Sequence, residues 1–282
     1  RGIIYSEYTE KTNDIVSGTI ERIEKGNVFI DIGKIEAMLP EKEQPIGETY
    51  EVGQVLKCYV SEVKSGTKGT QIIVSRTHPG LVKKLFEAEV PEIAEGIVEI
   101  KNIAREGGSR TKIAVYSNDP NVDAQGACIG PKGIRVQNIG EELKNEKIDI
   151  VKWSEDPAEF IAASLSPAKV ISAEINEEEK SAHVVVPEYQ LSLAIGRAGQ
   201  NVRLAARLTG YKIDIKSETQ AIEAGELPEN YMEEMGLVGE EGYTGDYEEE
   251  YNEEYSEESY DEAAEDQNEE SEEIEFIETE NE

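Results

Sequence analysis

The chain has 282 residues, and 61 Asp and Glu against 28 Lys and Arg give it a formal net charge of −33. No Lys or Arg follows Lys216, so the last 66 residues hold 28 of the acidic residues and residues 1–216 carry a net charge near −5. A uniformly acidic chain would argue against a nucleic-acid partner. Here a mildly acidic body that contains bases precedes a separate polyanion, so a nucleic-acid ligand of the body is not excluded.

Several function classes are excluded by residue usage. Cys58 and Cys128 lie far apart, with no second Cys or His near either, which excludes a zinc ribbon or a CxxC redox site. His78 and His183 fall in separate predicted domains without a nucleophile motif, so we predict no enzyme. No signal segment opens the chain, and no apolar run approaches the roughly 18 residues of a membrane helix. We expect a cytoplasmic protein without membrane contact or cofactor.

The first part of the chain predicts a small β-barrel. We interpret residues 1–11 as a linker remnant and residues 12–77 as an OB-fold barrel of the S-one type, named after a ribosomal protein. Five runs predict its strands: Ile15–Ile23, Asn27–Ile32, Glu36–Leu39, Gln54–Val63 and Gln71–Val74. Strand alternation exposes Phe29 and Tyr59 on the outer face, where aromatic side chains of OB barrels often stack on bases. Both are candidate RNA-binding residues.

The middle of the chain predicts two domains of mixed α/β type. Residues 78–152 begin with a connecting helix over 81–95, continue with strands at Ile97–Ile103 and Lys112–Tyr116, and change to helical spacing over Ala124–Leu143. Residues 153–217 again alternate strands with helices. Only about three or four residues separate Trp153 from the predicted start of the next helix at Pro157, a linker too short for free tumbling, so we expect the pair to be rigid.

An internal repeat relates these two domains. Residues 129–150 align with residues 195–215, and both copies end in the sequence KIDI. Each copy places Gly-x-x-Gly between two helical segments, first as Gly130-Pro131-Lys132-Gly133 and then as Gly196-Arg197-Ala198-Gly199. A single GxxG is typical of a plain helix corner, but two copies that both contain a cation favour a functional loop. Neither copy has the third glycine of a dinucleotide-binding fingerprint.

The repeated loop suits a phosphate backbone. Glycines allow a tight turn and a close approach, and the following helix points its N–H groups and positive dipole end toward the loop. A KH module clamps about four nucleotides of a single strand in this way. Pro131 lacks an N–H, so the first loop has one backbone donor fewer. The candidate RNA-binding residues are Gly130, Pro131, Lys132, Gly133 and Arg135 in the first copy, and Gly196, Arg197, Ala198, Gly199, Gln200, Asn201 and Arg203 in the second.

Longer motifs give the sequence a family resemblance. The stretches LFEAEVPEIAEGIVEI (85–100), IAREGGSRTKIAVYS (103–117), GACIGPKGIRVQ (126–137), EKIDIVKW (146–153) and LAIGRAGQNVRLAARLTGYKIDI (193–215) resemble the NusA family of bacterial transcription factors. The resemblance covers residues 1–217. It implies an S-one-type barrel followed by two KH modules, in a multidomain α+β chain.

The resemblance also implies a function. Members of the family bind the nascent single-stranded transcript and RNA polymerase, promote pausing and termination, and join antitermination complexes with other factors. In that family a polymerase-binding domain precedes the barrel, so we expect polymerase contact to depend mainly on a domain that this sequence lacks. We expect a monomer.

Two alternatives to transcript binding remain open at this stage: a KH and OB platform that contacts protein with little RNA affinity, and an accessory factor in RNA processing. The RNA-degrading phosphorylases also combine KH and S-one-type domains, but there the KH unit comes first and only one is present.

The last segment has a different composition. Residues 218–282 are rich in Glu, Tyr, Asp and Ser and hold too few apolar residues for a core, so we predict a disordered acidic tail. Tyr243, Tyr247, Tyr251 and Tyr255 recur every four residues and could mimic stacked bases. The tail is either an internal competitor for the RNA surface or only a solubilising segment.

Overall fold

A computed structural model describes residues 2–234. Residues 2–223 belong to one compact unit. Residues 224–234 belong to a second unit, in which Tyr231–Glu234 form one helical turn, α10. Most of the predicted acidic tail, including its four regularly spaced tyrosines, lies outside the described residues. No described helix is long and apolar enough to cross a membrane.

The first element is a helix that the sequence did not predict. Residues of α1, Gly2–Thr9, stand where we predicted a linker remnant. Tyr8 on this helix is buried, belongs to the core of the following barrel, and donates a hydrogen bond from its hydroxyl to the carbonyl oxygen of Ile32 at 3.2 Å. The linker assignment was therefore wrong, because Tyr8 and the partly buried Ile4 pack against the barrel core and Glu7 pairs with Lys34 at 2.7 Å.

The predicted five-stranded barrel is confirmed. The strands are β1 (Ile15–Glu24), β2 (Asn27–Asp31), β3 (Glu36–Leu39), β4 (Val55–Gly66) and β5 (Gly69–Ser75). They close in the order β1-β2-β3-β5-β4. Alternating side chains such as Val28 and Ile30 fill the interior, as a period of two requires. Lys25 and Gly26 both take positive φ in the tight β1–β2 turn, which suits the strand twist of a hairpin.

The first KH module follows the barrel directly. Its elements are α2 (Pro79–Glu89), α3 (Pro91–Ala94), β6 (Val98–Glu106), β7 (Arg110–Ser117), α4 (Ala124–Ile129), α5 (Ile134–Glu142) and β8 (Lys147–Lys152). The sheet has the order β6-β7-β8, antiparallel and then parallel. Two differences from expectation have simple causes. The connecting helix predicted over 81–95 is two helices, because Pro91 ends the first and starts α3. The predicted helical stretch from Ala124 is interrupted by the first GxxG loop.

The second KH module repeats this arrangement. Its elements are α6 (Pro157–Ser164), β9 (Ser172–Asn176), β10 (Ser181–Val186), α7 (Leu191–Ile195), α8 (Gln200–Thr209), β11 (Lys212–Ser217) and α9 (Glu218–Glu223). Strand β10 pairs antiparallel with β9 and parallel with β11. Helix α9 extends six residues past the predicted domain end, and Ala221 on it is fully buried. Residues 218–223 are therefore part of the folded unit, not of a disordered tail.

A buried arginine joins the barrel to the first KH module. The guanidinium of Arg76 is fully buried and pairs with the carboxylate of Glu48 in the barrel. It also donates to the carbonyl oxygen of Lys57 at 2.6 Å and to that of Glu142, on α5, at 2.9 Å. Burial lowers the pKa of Arg76 and the nearby carboxylate of Glu48 raises it. Together with the other surrounding groups, the result is a raised pKa of Arg76. The side chain of Arg76 thus holds the barrel and the first KH module together, because oxygen atoms of both domains accept hydrogen bonds from its guanidinium.

The two KH modules share an apolar interface. Phe160, Leu204 and Leu208 of the second module pack on Ala114 and Val151 of the first sheet, with the partly buried Trp153 beside them. The ammonium group of the fully buried Lys112 also donates to the carbonyl oxygen of Ser166 in the second module, at 2.8 Å. This burial supports the expected rigid pair, since a shared apolar core disfavours independent motion of two domains.

Candidate nucleic-acid interface

The two GxxG loops have the same backbone conformation. Gly130 has φ 77° and ψ 172°, and Gly196 has φ 77° and ψ 167°. The third positions, Lys132 and Ala198, lie in the left-handed region with φ 55° and 52° and ψ 27° in both. Left-handed residues other than glycine are uncommon, and two at equivalent positions mean that the repeated sequence specifies the loop shape.

The final glycines, Gly133 and Gly199, share φ 72° and are the N-caps of α5 and α8. Among the described residues, no side chain caps the free N–H groups at the start of either helix. The positive end of each helix dipole therefore lies beside its loop without a capping anion. Both loops have the local features that bind a phosphate.

The residues between the glycines are exposed. Pro131 and Lys132 are exposed in the first loop, and Arg197 and Ala198 in the second. The Lys132 ammonium group has no ion pair or hydrogen bond within residues 2–234. The predicted placement of a cation at the tip of each loop is thus consistent with the structure. The role of these residues in binding stays a prediction.

Two of the predicted RNA-binding residues, Arg135 and Asn201, instead bond to the protein segments next to the loops and stabilise them. Arg135 donates to the carbonyl oxygen of Ala127 at 2.7 Å and to the carboxylate of Glu92 at 2.9 Å, and its aliphatic part lies against Gly130. Asn201 is 3% exposed and donates to the carbonyl oxygens of Ala194 and Leu165, both at 3.0 Å. Asn201 was therefore wrongly predicted to be available to RNA: it is buried, and its backbone lies directly under Gly196.

Two further predicted residues bind the neighbouring module. Gln200 donates to the carboxylate of Glu106 at 2.8 Å and to the hydroxyl of Ser109 at 2.7 Å. Arg203 donates to Glu106 at 2.6 Å and to the carbonyl oxygen of Ala198 at 3.0 Å. The hydrogen bond from Arg203 lowers the pKa of Glu106, which remains an anion at neutral pH. Neither Gln200 nor Arg203 is an unoccupied surface donor.

Apolar side chains flank both loops. Ile129 and Ile195 precede the first glycine of each loop and are 40% and 36% exposed, and Ile134 after the first loop is 53% exposed. Exposed isoleucines next to cationic loops provide an apolar surface on which bases could lie. Ile129 and Ile195 are equivalent positions of the repeat, whereas the position equivalent to Ile134 in the second copy is Gln200.

The two barrel aromatics have different environments. Phe29 faces outward and is partly exposed, as predicted, but the guanidinium of Arg22 lies 3.8 Å from its ring centroid. Tyr59 also points out of the barrel, yet it is buried at 7% exposure. Its ring stacks on His78 with centroids 4.3 Å apart, and its hydroxyl donates to Asn13 at 2.9 Å. The strand alternation was right and the exposure of Tyr59 was wrong, because α2 covers that face.

Comparison with known proteins assigns the same domains. Residues 9–75 match the S1 RNA binding domain, residues 76–153 the NusA-like first KH domain, and residues 157–223 the NusA-like second KH domain. The chain is 56% identical over 234 residues to the transcription termination/antitermination protein NusA of Bacillus subtilis, covering 83% of this chain and 63% of that protein. The chain belongs to the NusA family.

Other NusA proteins give similar figures. That of Halalkalibacterium halodurans is 56% identical over 80% of this chain and 59% of its own length. That of Thermus thermophilus is 53% identical over 76% of this chain and 55% of its own length. The chain thus spans about three fifths of the curated NusA relatives that it matches. The S1 and KH domains account for most of the matched region.

Proposed function

We propose that this chain binds single-stranded RNA through its two KH loops, as the RNA-binding part of a NusA-type factor that acts on transcription elongation, termination and antitermination. The observation that carries the proposal is the pair of loops with the same left-handed backbone, each with an exposed cation and an uncapped helix. A protein-binding corner would not need a positive helix end in both copies.

The family supports the wider part of this proposal. The curated relatives are named for transcription termination and antitermination, and the RNA ligand would then be the nascent transcript. RNA polymerase and other antitermination factors are the partners that we propose for the whole protein. The contact with polymerase would depend mainly on a domain that precedes the barrel in the family.

Charge reversal inside the loops tests RNA binding without disturbing the glycines. Lys132→Asp alters the first loop, and Arg197→Asp with Ala198→Asp alters the second. Aspartate is among the side chains that tolerate the left-handed conformation of Lys132 and Ala198. We expect the combined variant to lose at least about tenfold in affinity for labelled single-stranded RNA, measured by fluorescence anisotropy, because carboxylates would face phosphates.

A matched control separates the loops from net charge. Lys83→Asp makes the same change of charge as Lys132→Asp, on an exposed position of α2 outside both loops, and should reduce affinity much less than Lys132→Asp does. The plot of log affinity against log salt should also become shallower by roughly 0.7 per lost phosphate contact in the loop variants. Equal losses in Lys83→Asp and Lys132→Asp would show that position in the loop does not matter and that net charge alone sets the affinity. A wild-type chain without RNA affinity would favour the protein-binding platform.

A further inference from the structure

We infer that Glu106 of the first KH module is a positioning residue for the second RNA loop. The inference rests on the proposed function of that loop and concerns the side chains of Glu106, Gln200 and Arg203, here called the Glu106 cluster. Glu106 ends β6 in the first module, whereas Gln200 and Arg203 lie in the first turns of α8 in the second.

The contacts of the Glu106 cluster reach the loop itself. One carboxylate oxygen of Glu106 accepts from the Arg203 guanidinium at 2.6 Å, and the other accepts from the Gln200 amide at 2.8 Å. The same guanidinium donates to the carbonyl oxygen of Ala198, the third residue of the loop, at 3.0 Å. Ala198 is a non-glycine residue held at φ 52°. The cluster therefore links the first module to the strained position of the second loop through one side chain.

Within residues 2–234, the first loop has no equivalent link. Ile134 and Gln137 stand at the positions equivalent to Gln200 and Arg203 in the repeat. Ile134 is 53% exposed, and the amide of Gln137 contacts only Glu141 of its own helix, at 3.4 Å. The link is thus a property of the second loop that the repeat does not share, and it makes that loop dependent on the neighbouring module.

Two roles of Glu106, as a repelling charge and as a positioning residue, predict opposite changes in RNA affinity when it is removed. Glu106 is an anion beside a proposed phosphate site, so its removal should strengthen RNA binding if only charge matters. If Glu106 positions the loop, its removal should weaken binding, because Ala198 and α8 lose a restraint that RNA must then impose. The sign of the change decides between the two, which makes Glu106→Ala an informative variant.

The experiment first measures the loop without RNA. We expect amide hydrogen exchange at residues 196–203 to become about two to five times faster in Glu106→Ala, the range that a partly exposed ion pair supports. Exchange at residues 130–135 should not change. Glu99→Ala is the matched control, because it removes one negative charge from an exposed position on the same strand. Unchanged exchange at residues 196–203 would overturn the inference.

The second measurement is RNA affinity in a Lys132→Asp background, in which the second loop dominates. We expect Glu106→Ala to bind single-stranded RNA about two to five times more weakly and Glu99→Ala to bind equally or slightly more tightly. Tighter binding by Glu106→Ala would overturn the positioning role. Glu106→Gln keeps one acceptor oxygen for two donors and should give a smaller effect in the same direction; it replaces Glu106→Ala if that variant fails to fold.

These two measurements separate this inference from the proposed function. If the parent chain binds no RNA, the proposed RNA role fails, yet hydrogen exchange still shows whether the Glu106 cluster holds the loop. If RNA binds but exchange and affinity follow charge alone, the RNA role stands and the positioning role fails.

Discussion

The two KH modules carry one repeated sequence in two different environments. Their GxxG loops agree within about 5° in every dihedral angle quoted above. The aspartates of their shared KIDI strands differ in burial. Asp149 is largely buried, whereas Asp214 is 56% exposed and contacts His183 at 3.3 Å. Local sequence therefore sets the loop, and the packing between domains sets the surroundings of the strand.

The difference follows from which face of each sheet is covered. Asp149 pairs with Arg110 at 2.7 Å and with the fully buried Lys112 at 2.9 Å, and Lys112 also contacts Ser166 of the second module. Burial would raise the pKa of Asp149, but the hydrogen bonds and charges of Arg110 and Lys112 outweigh it and lower that pKa below its ordinary value of 3.8. The same repeat residue is thus part of an interdomain joint in one copy and of a solvated pair in the other.

The largest expected effect comes from breaking the buried pair. Asp149→Asn should lower the free energy of unfolding by about 3 kcal/mol at pH 7, since it leaves the charge of Lys112 buried without its partner. Asp214→Asn, the matched change in the other copy, should cost less than about 0.5 kcal/mol. Urea unfolding followed by the fluorescence of Trp153, the single tryptophan, reports on this joint directly. Equal costs in the two copies would contradict the comparison.

The pH dependence of the same variant gives a second check. The folded-state pKa of Asp149 lies below its unfolded value, so its stabilisation is fully present above the ordinary pKa of 3.8 and disappears as pH falls through the lowered value. The gap between wild type and Asp149→Asn should therefore stay constant from pH 7 to about pH 5 and narrow only in acid. A gap that narrows near neutral pH would assign the effect to another group.

Alanine substitutions of the loop glycines test how far the two loops are alike. Gly196→Ala should cost about 2–3 kcal/mol, because a Cβ would lie 2.7 Å from the backbone nitrogen of Asn201 at a φ that suits only glycine. Gly130→Ala should cost less, since the added Cβ meets the aliphatic side chain of Arg135. At Gly199 nothing lies within 4 Å, so Gly199→Ala should cost only about 1 kcal/mol of backbone strain.

Thermal unfolding of the three variants checks this order. A cost for Gly130→Ala equal to that for Gly196→Ala would mean that Arg135 cannot move, and that both loops are supported equally firmly. A cost for Gly199→Ala above that for Gly196→Ala would contradict the steric account, because backbone strain alone would then dominate.

Much of the fold could be predicted from local sequence. Strands with strict alternation, such as Glu36–Leu39, were predicted at their observed bounds, and the repeat located both GxxG loops. These features depend on period and on glycine, which act over a few residues. The helix α1 and the burial of Tyr59 could not be predicted, because each depends on a surface formed by residues distant in the chain.

The sequence located the loops of the candidate site but did not predict the contacts of the residues that follow them. Exposed loop residues such as Lys132 were correctly separated from the core, but Asn201, Gln200 and Arg203 were treated as surface donors. Residues on α8 face the core of their own module, the loop or the neighbouring module. Helical spacing alone does not show where a second domain docks. The partner of Gln200 and Arg203, Glu106, lies about 100 residues away in a strand whose pattern shows no functional signal.

The smallest expected effect concerns a difference in backbone donors between the two loops. Pro131 has no N–H, whereas its equivalent Arg197 has one, although the two loop backbones agree. Pro131→Ala should add a donor toward a bound phosphate. The greater freedom of the unbound loop partly offsets this gain, and we expect RNA affinity to rise about twofold.

The measurement needs a background with Arg197→Asp and Ala198→Asp, so that the first loop dominates RNA binding. Pro91→Ala, at the first position of α3, is the matched control and should leave affinity unchanged. If neither variant binds more tightly, phosphate does not reach the second position of the first loop. The two loops would then differ in how they hold RNA despite their common backbone.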